Sequence, residues 1–198
     1  MERVFSGNDE MRDHIVGVAS KIFAHFGFRK ATMDEIASAT RKGKSSIYYY
    51  FSSKEEIFKA VVEKEASELK RELHKEISRY DDPTDKLKSY ILMRMKKLKK
   101  VTNFYSTLKS DYLSHLEFAD RVRKKFDEEE IEVVRGILQG GVDNGNFELE
   151  DSYLGAVAIV TAMKGLEIPL IITDDNGNLE ERLDNLIRFL FYGLIKRK

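Results

Sequence analysis

Arg41, Lys42, Lys44, Ser45, Ser46, Tyr48 and Tyr49 fall within positions 41–49 and bring together cations, hydroxyls and rigid phenols. Such a set suits hydrogen bonding to phosphate oxygens and to base edges. Gly43-Lys44-Ser45 also ends like a phosphate-binding loop, in which Gly-Lys-Ser/Thr grips a nucleotide for hydrolysis. That loop needs a leading glycine, which falls here at Ser38, and a preceding strand, where this sequence has helical spacing. Nucleotide hydrolysis is therefore a remote alternative, and the expectation is a protein that binds without catalysing a reaction. The absence of cysteine removes thiolate nucleophiles, disulfides and cysteine metal sites. His14, His25, His74 and His115 are scattered, and only Asp111 with His115 has the spacing of two ligands on one helical face. Asp174-x-Asn176-x-Asn178 is similar to a calcium loop but has Leu179 where glycine is needed, so it reads as a turn. No metal and no cofactor are expected.

Lys and Arg together equal Asp and Glu, 34 against 34, so a nucleic-acid role requires a local basic surface. Between Gly27 and Lys54 six basic residues (Arg29, Lys30, Arg41, Lys42, Lys44, Lys54) stand against Asp34 and Glu35, a local excess of +4. Phosphate is attracted to such a segment. The 42% of hydrophobic residues and the scarcity of proline, two in 198, point to a folded helical chain.

The elements that must position these residues can be read from spacing. Ile15, Val18, Ala19, Ile22, Phe23 and Phe26 mark a first amphipathic helix that Gly27 stops. Thr32 and Glu35 form a capping box for a second helix with Met33, Ile36 and Ala37 on its inner face. A third short helix carries 45–51, in which Ile47 and Phe51, four apart, anchor one side. Ser53 with Glu56 caps a fourth helix running over 54–80 to the breaker Asp81-Asp82-Pro83-Thr84. Further helices are expected over 83–101, 104–113, 118–138, 151–166 and 179–196, separated by Gly140-Gly141, 143–146 and 174–178 as turns. The fold class is all-α, about nine helices with no strand pattern. Residues 1–53 form a helix-turn-helix head, and 54–198 form a helical body that begins with a linker helix.

Two short helices around a tight turn, braced by a longer one, place the second of the pair in a DNA major groove. Ile47-Tyr48-Tyr49-Tyr50-Phe51 followed by Ser-Ser-Lys54-Glu55-Glu56-Ile57 resembles the segment shared by the TetR family of transcription regulators. Thr32, the pair Ile36-Ala37, and Phe23, Gly27 and Phe28 resemble that family's pattern too. The resemblance implies that Thr32, Tyr48 and Lys54 hold phosphates, that Lys44, Ser45 and Tyr49 face the groove, and that Phe51 stays in the core. It departs at the turn, where the family commonly has Ala-Gly-Val-Ser and this chain has Thr40-Arg41-Lys42-Gly43. Either Arg41 adopts a backbone conformation that glycine takes more cheaply, or Gly43 shifts the turn by one residue. That altered turn also motivates an alternative, the same fold acting through a protein partner instead of DNA.

In the body, 153–163 is apolar nearly all round, and the last helix repeats the theme. Tyr153, Val157, Val160, Leu183, Ile187, Leu190, Phe191 and Leu194 are the expected faces of a homodimer, which would let two heads read successive turns of a near-palindromic operator. Tyr90, Met93, Phe104, Tyr105, Leu108, Tyr112, Phe126 and Met163 are candidates to line a pocket for a small-molecule effector. The effector is expected to be apolar or amphipathic, since no buried charge announces a polar one. The basic run Arg94, Lys96, Lys97, Lys99 and Lys100 reads as a solvated face. The apolar stretch 153–172 contains Lys164, Glu167 and Pro169 and is not expected to span a membrane. Residues 1–10 lack the pattern of a secretory signal, so the expected location is the cytoplasm.

Overall fold

In the computed structural model, which describes residues 7–98, 103, 117–172 and 179–192, apolar periodicity becomes eight helices. They are α1 Gly7–Lys30, α2 Met33–Ala39, α3 Lys44–Tyr50, α4 Lys54–Ile77, α5 Pro83–Leu98, α6 Glu117–Asp143, α7 Ser152–Ile172 and α8 Leu179–Tyr192. The helix expected over 104–113 lies outside the described residues, as do Phe104, Tyr105, Leu108, Tyr112, Asp111, His115, Leu194 and the turn at 174–178. Among the described residues no helix is long and apolar enough to cross a membrane.

The chain divides into two compact units, Met1–Glu68 with Val101–Val122, and Leu69–Lys100 with Arg123–Lys198. In the first, Gly27 interrupts α1 with φ 77° and ψ 158°, a left-handed conformation that side chains resist. The break turns Phe28 back onto Phe23 and Phe58, with ring centroids 5.9 and 4.7 Å away, while Phe23 meets Phe58 edge-on at 5.1 Å. Ile15, Ala19, Ile36, Ile47, Phe51, Ile57 and Val61 complete this core. Each such buried aliphatic or aromatic side chain contributes about 1.5–3 kcal/mol. Phe26 is a correction: it continues the sequence stripe but is half exposed, because the chain turns away at the next residue. Asn103, 2% exposed, is pinned to the same unit. Its backbone N–H donates to Glu65 Oε2 at 2.9 Å, and its side-chain amide donates to Glu65 Oε1 at 2.6 Å and to Ser20 O at 3.1 Å.

In the second unit Asp82 starts α5 by accepting the Thr84 and Asp85 backbone N–H groups at 2.8 and 3.1 Å, with Pro83 at the first helical position. Those N–H groups hold the Asp82 carboxyl below the usual carboxylate range. Helix α6 runs through Gly140-Gly141, which sequence spacing marks as a turn. The close approach of the Phe147 ring explains the second glycine, since a Cβ on Gly141 would collide with it. The chain then reverses at Gly145, φ 76°. Asp151 caps α7 by accepting from Tyr153 N at 2.7 Å and Leu154 N at 3.0 Å.

The core of this unit holds a charged pair that sequence spacing places on a solvated face. Arg94 is 2% exposed and grips Glu130 through both nitrogens of its fork, Nε to Oε1 at 2.8 Å and Nη2 to Oε2 at 3.1 Å. The Tyr90 hydroxyl donates to Glu130 Oε1 at 3.0 Å. Burial, then the adjacent carboxylate, keeps that phenol protonated well above its ordinary range. Arg94 therefore leaves the exposed basic run, because its helical position turns it inward with Tyr90, Ile91 and Met95.

Candidate nucleic-acid interface

Helix α2 begins with the expected capping box: Thr32 Oγ1 accepts Glu35 N at 3.2 Å, and Glu35 Oε2 accepts Thr32 N at 2.8 Å. It ends in a Schellman turn. Lys42 N donates to Ala37 O and Arg41 N to Ser38 O, both at 3.0 Å, which is the six-to-one and five-to-two bonding of that motif. Its left-handed residue is Arg41, φ 55°, the non-glycine residue with positive φ among those described. Gly43 is extended, φ −68° and ψ 149°, and opens α3 without a side-chain cap. Of the two turns that spacing allows, Arg41 takes the glycine's role and α3 begins at Lys44 without a shift. Thr40 was missed by sequence reading. It is 4% exposed, fills the inside of the turn, and donates its hydroxyl to Ile36 O and Ala37 O at 2.9 Å each.

Ile47 and Phe51 fasten α3 to the head at 0% and 2% exposure, and Arg12 lies over the Phe51 ring at 4.7 Å. The opposite side is open: Thr32, Arg41, Lys42, Lys44, Ser45, Tyr48 and Tyr49 are exposed, Ser46 partly so, with Tyr49 the most open aromatic among the described residues at 76%. Tyr49 rests edge-on against Tyr50 at 5.0 Å, which limits its swing. Two cations differ in role from their neighbours. Lys44 Nζ is paired with Asp34 Oδ2 at 2.8 Å, and this hydrogen bond raises its pKa. Lys54 Nζ donates to Phe28 O and Ala31 O at 2.9 Å each and sits 4.5 Å over the Phe28 ring. It thereby ties the start of α4 to the end of α1 and the residue after it, a use for which the Ser-Ser-Lys-Glu-Glu string gives no signal. Ser53 Oγ accepts Glu56 N at 3.2 Å, and Glu56 reaches back to Ser52 N at 2.8 Å, a bond that lowers the Glu56 pKa.

The Gly43-Lys44-Ser45 string follows a helix, and its lysine is held by Asp34, so it is not built as a phosphate-binding loop. Among the described residues no three His, Asp or Glu form a metal-holding group.

In the body, Tyr90 and Phe126 line a small buried cavity with Leu73, Glu130 and Val133. Met163 is fully buried and Met93 half-buried, and neither lines that cavity or the larger groove of about 800 Å³ beside it. The larger groove is lined by α4, α5 and α6 residues outside the sequence-derived set. The dimer set also divides. Val160, Leu183 and Ile187 are 2%, 0% and 7% exposed, so the chain's own core covers them, contrary to the sequence expectation. Tyr153 is 47% exposed and Val157 half-buried, and the open apolar side chains of α7 and α8 include Leu154 at 63% and Phe189 at 50%. An all-round apolar helix conceals which side is already covered. The side chains of Leu190 and Phe191 lie outside the described residues.

The family described as bacterial regulatory proteins, tetR family, matches residues 15–61, which span α1 to the first turns of α4. Over 185 residues the chain is 23% identical to the HTH-type transcriptional regulator QacR of Staphylococcus aureus, covering 90% of this chain and 94% of that one. A transcriptional regulator from Cytophaga hutchinsonii is 30% identical and superposes with a TM-score of 0.72, covering 92% of this chain and 93% of its own. FadR of Bacillus subtilis, solved in complex with stearoyl-CoA, shares the fold at 18% identity with a TM-score of 0.74, over 92% of this chain and 99% of its own. The capped α2, the Schellman turn and the exposed α3 belong to the segment that the family match covers, and the likeness to whole regulators continues through the body: the chain is a member of the TetR family of transcription regulators.

Proposed function

We propose that this regulator is a repressor that binds a near-palindromic operator as a homodimer in the cytoplasm and is released or retuned by a small molecule held in its body. Residues 1–53 are the reading head and 54–198 the sensing and pairing body. The observation that carries the reading is α3, fastened by Ile47 and Phe51 and presenting Ser45, Tyr48 and Tyr49 to solvent beside Arg41 and Lys42. Thr32 and Tyr48 contact phosphates, Arg41 and Lys42 add charge on the DNA side, and Lys44, Ser45, Ser46 and Tyr49 lie at the groove. Two such helices about 34–36 Å apart read successive turns of duplex DNA. The exposed Tyr153, Leu154 and Phe189 support pairing through α7 and α8.

The effector is apolar or amphipathic, and the likeness in fold to FadR with its stearoyl-CoA makes a long-chain amphiphile a natural first probe. Selection of genomic fragments by the purified protein, followed by sequencing of those retained, is expected to return a shared inverted repeat bound in a salt-sensitive manner. Retention of fragments with no common sequence would refute the operator reading.

A further inference from the structure

The groove of about 800 Å³ runs between the second half of α4, the start of α5 and the second half of α6. This volume falls in the range of about 300–1,000 Å³ typical of small-molecule sites. Its middle is apolar, with Ile77 and Pro83 from α4 and α5 and Val133, Gly136, Ile137 and Gly140 from α6. One end carries Lys70 and Glu129, ion-paired at 3.1 Å, with His74, and Ser78, Asp81, Lys86, Glu128, Glu132 and Asn144 form a polar rim around the apolar middle. These three residues also line the small cavity that contains Tyr90 and Glu130, so the polar end backs onto the buried Arg94–Glu130 pair.

Gly17, Gly136, Gly140 and Gly165 lie inside helices with open space over them, and two of these four, Gly136 and Gly140, fall on the groove. A glycine inside a helix destabilises it relative to alanine. Gly141 has a packing reason in the Phe147 ring. Gly136 and Gly140 have none: a Cβ at either position would meet nothing within 4 Å, and both line the groove. Alanine would serve the helix better there, unless the space over those two positions is used. The apolar middle and the charged rim together fit an elongated molecule of mixed character and fit neither a wholly polar metabolite nor a compact hydrocarbon.

We infer that this groove is the effector seat and that the effector is a single-chain amphiphile, with its tail laid across Gly136 and Gly140 and its polar head at Lys70, His74 and Glu129. The inference rests on the sensing role proposed above and moves the site away from the core aromatics that sequence spacing favours.

The test uses the full chain and a dansyl-labelled undecanoic acid, whose fluorescence rises in an apolar seat. Wild type is expected to bind it, and Gly136→Leu, which fills the trench, to weaken binding by about tenfold or more without lowering the melting temperature. Gly140→Ala is expected to weaken binding less while raising the melting temperature, and Lys70→Ala to weaken it through the head. If Gly136→Leu loses its helical circular dichroism, Gly136→Ala, whose methyl meets open space, carries the same comparison. No binding to wild type overturns the inference, as does equal binding by wild type and the glycine variants. So does a change in sedimentation on Gly136→Leu with no probe bound, which would make the groove a contact between copies. Operator affinity measured without probe reports separately on the head, so intact DNA binding beside a failed probe result overturns only the effector seat.

Discussion

Arg41→Gly separates the two duties that the turn gives to one residue. At φ 55° the arginine holds a left-handed conformation that costs an L residue about 1–2 kcal/mol. Glycine removes that strain but brings a more flexible unfolded chain, which costs about 0.5–1 kcal/mol. The two Schellman hydrogen bonds are backbone bonds and survive the change. The net expectation is a stability unchanged or higher by up to about 1.5 kcal/mol, seen as a rise in melting temperature of up to about 3–6 °C for a chain of this size. DNA binding moves the other way. Loss of one phosphate contact per head lowers the slope of log affinity against log salt by about 0.9 per head, measured by fluorescence anisotropy between about 50 and 200 mM salt. A lower melting temperature would refute the strain argument, and an unchanged salt slope would refute the assignment of the guanidinium to phosphate.

Lys54→Met keeps an aliphatic stem over Phe28 but removes the donors to Phe28 O and Ala31 O. It is expected to lower stability by about 1–3 kcal/mol in denaturant titration and to weaken operator binding with little change in salt slope, the mark of a positioning residue as opposed to a phosphate ligand. Arg94→Leu leaves Glu130 buried without its fork and is expected to cost about 3–5 kcal/mol. The double variant Arg94→Leu with Glu130→Gln, which keeps an acceptor for the Tyr90 hydroxyl, should recover much of that loss, and additive losses in the double-mutant cycle would show that the two do not act as a pair. The Asp82 carboxyl titrates below its ordinary 3.8 because the Asp85 and Thr84 backbone N–H groups favour its charged form. Its contribution is therefore present above the unfolded carboxylate range and is lost as pH falls through the lower folded value. Asp82→Asn, which caps without titrating, should flatten the acid limb of an unfolding curve, and an unaltered limb counts against the cap.

The head was legible because its signals are local. A capping box, two apolar stripes and a glycine stop each act over a few residues, and the structure places Thr32, Gly27 and Ile47 where those signals put them. What escaped the reading depends on partners distant in sequence. Lys54 meets carbonyls 26 and 23 residues away, and Lys44 meets an aspartate 10 residues away, so neither bond leaves a trace in spacing. The body was legible as helices but not in its faces. Arg94 sits in a run of lysines, and only the turn of α5 separates its buried position from the solvated Lys96. The all-apolar α7 offers no polar stripe to say that Val160 is covered while Leu154 is open.

These distant bonds also change the electrostatics of reading DNA, and the change can be measured. Sequence counting offers six basic side chains between positions 27 and 54, and if each met a phosphate the salt slope would be about −5.4 per head, taking about 0.9 per contact. Lys44 is already neutralised by Asp34 at 2.8 Å, and Lys54 is held by two carbonyls. With those two withdrawn from the six, the slope is no steeper than about −3.6 per head. The Tyr48 hydroxyl proposed to meet phosphate adds a hydrogen bond without releasing a counterion, so it raises affinity without steepening the slope. A measured slope near −5.4 per head would mean that Lys44 and Lys54 leave their partners on binding. In that case the head would be a jointed surface, with Asp34 exposed to phosphate and the tie from α4 to Phe28 and Ala31 broken in the complex. A slope near −3.6 or shallower is the expected result, because the Asp34 charge offsets Lys44 beside the phosphates and releasing Lys54 leaves two carbonyl oxygens without their donor.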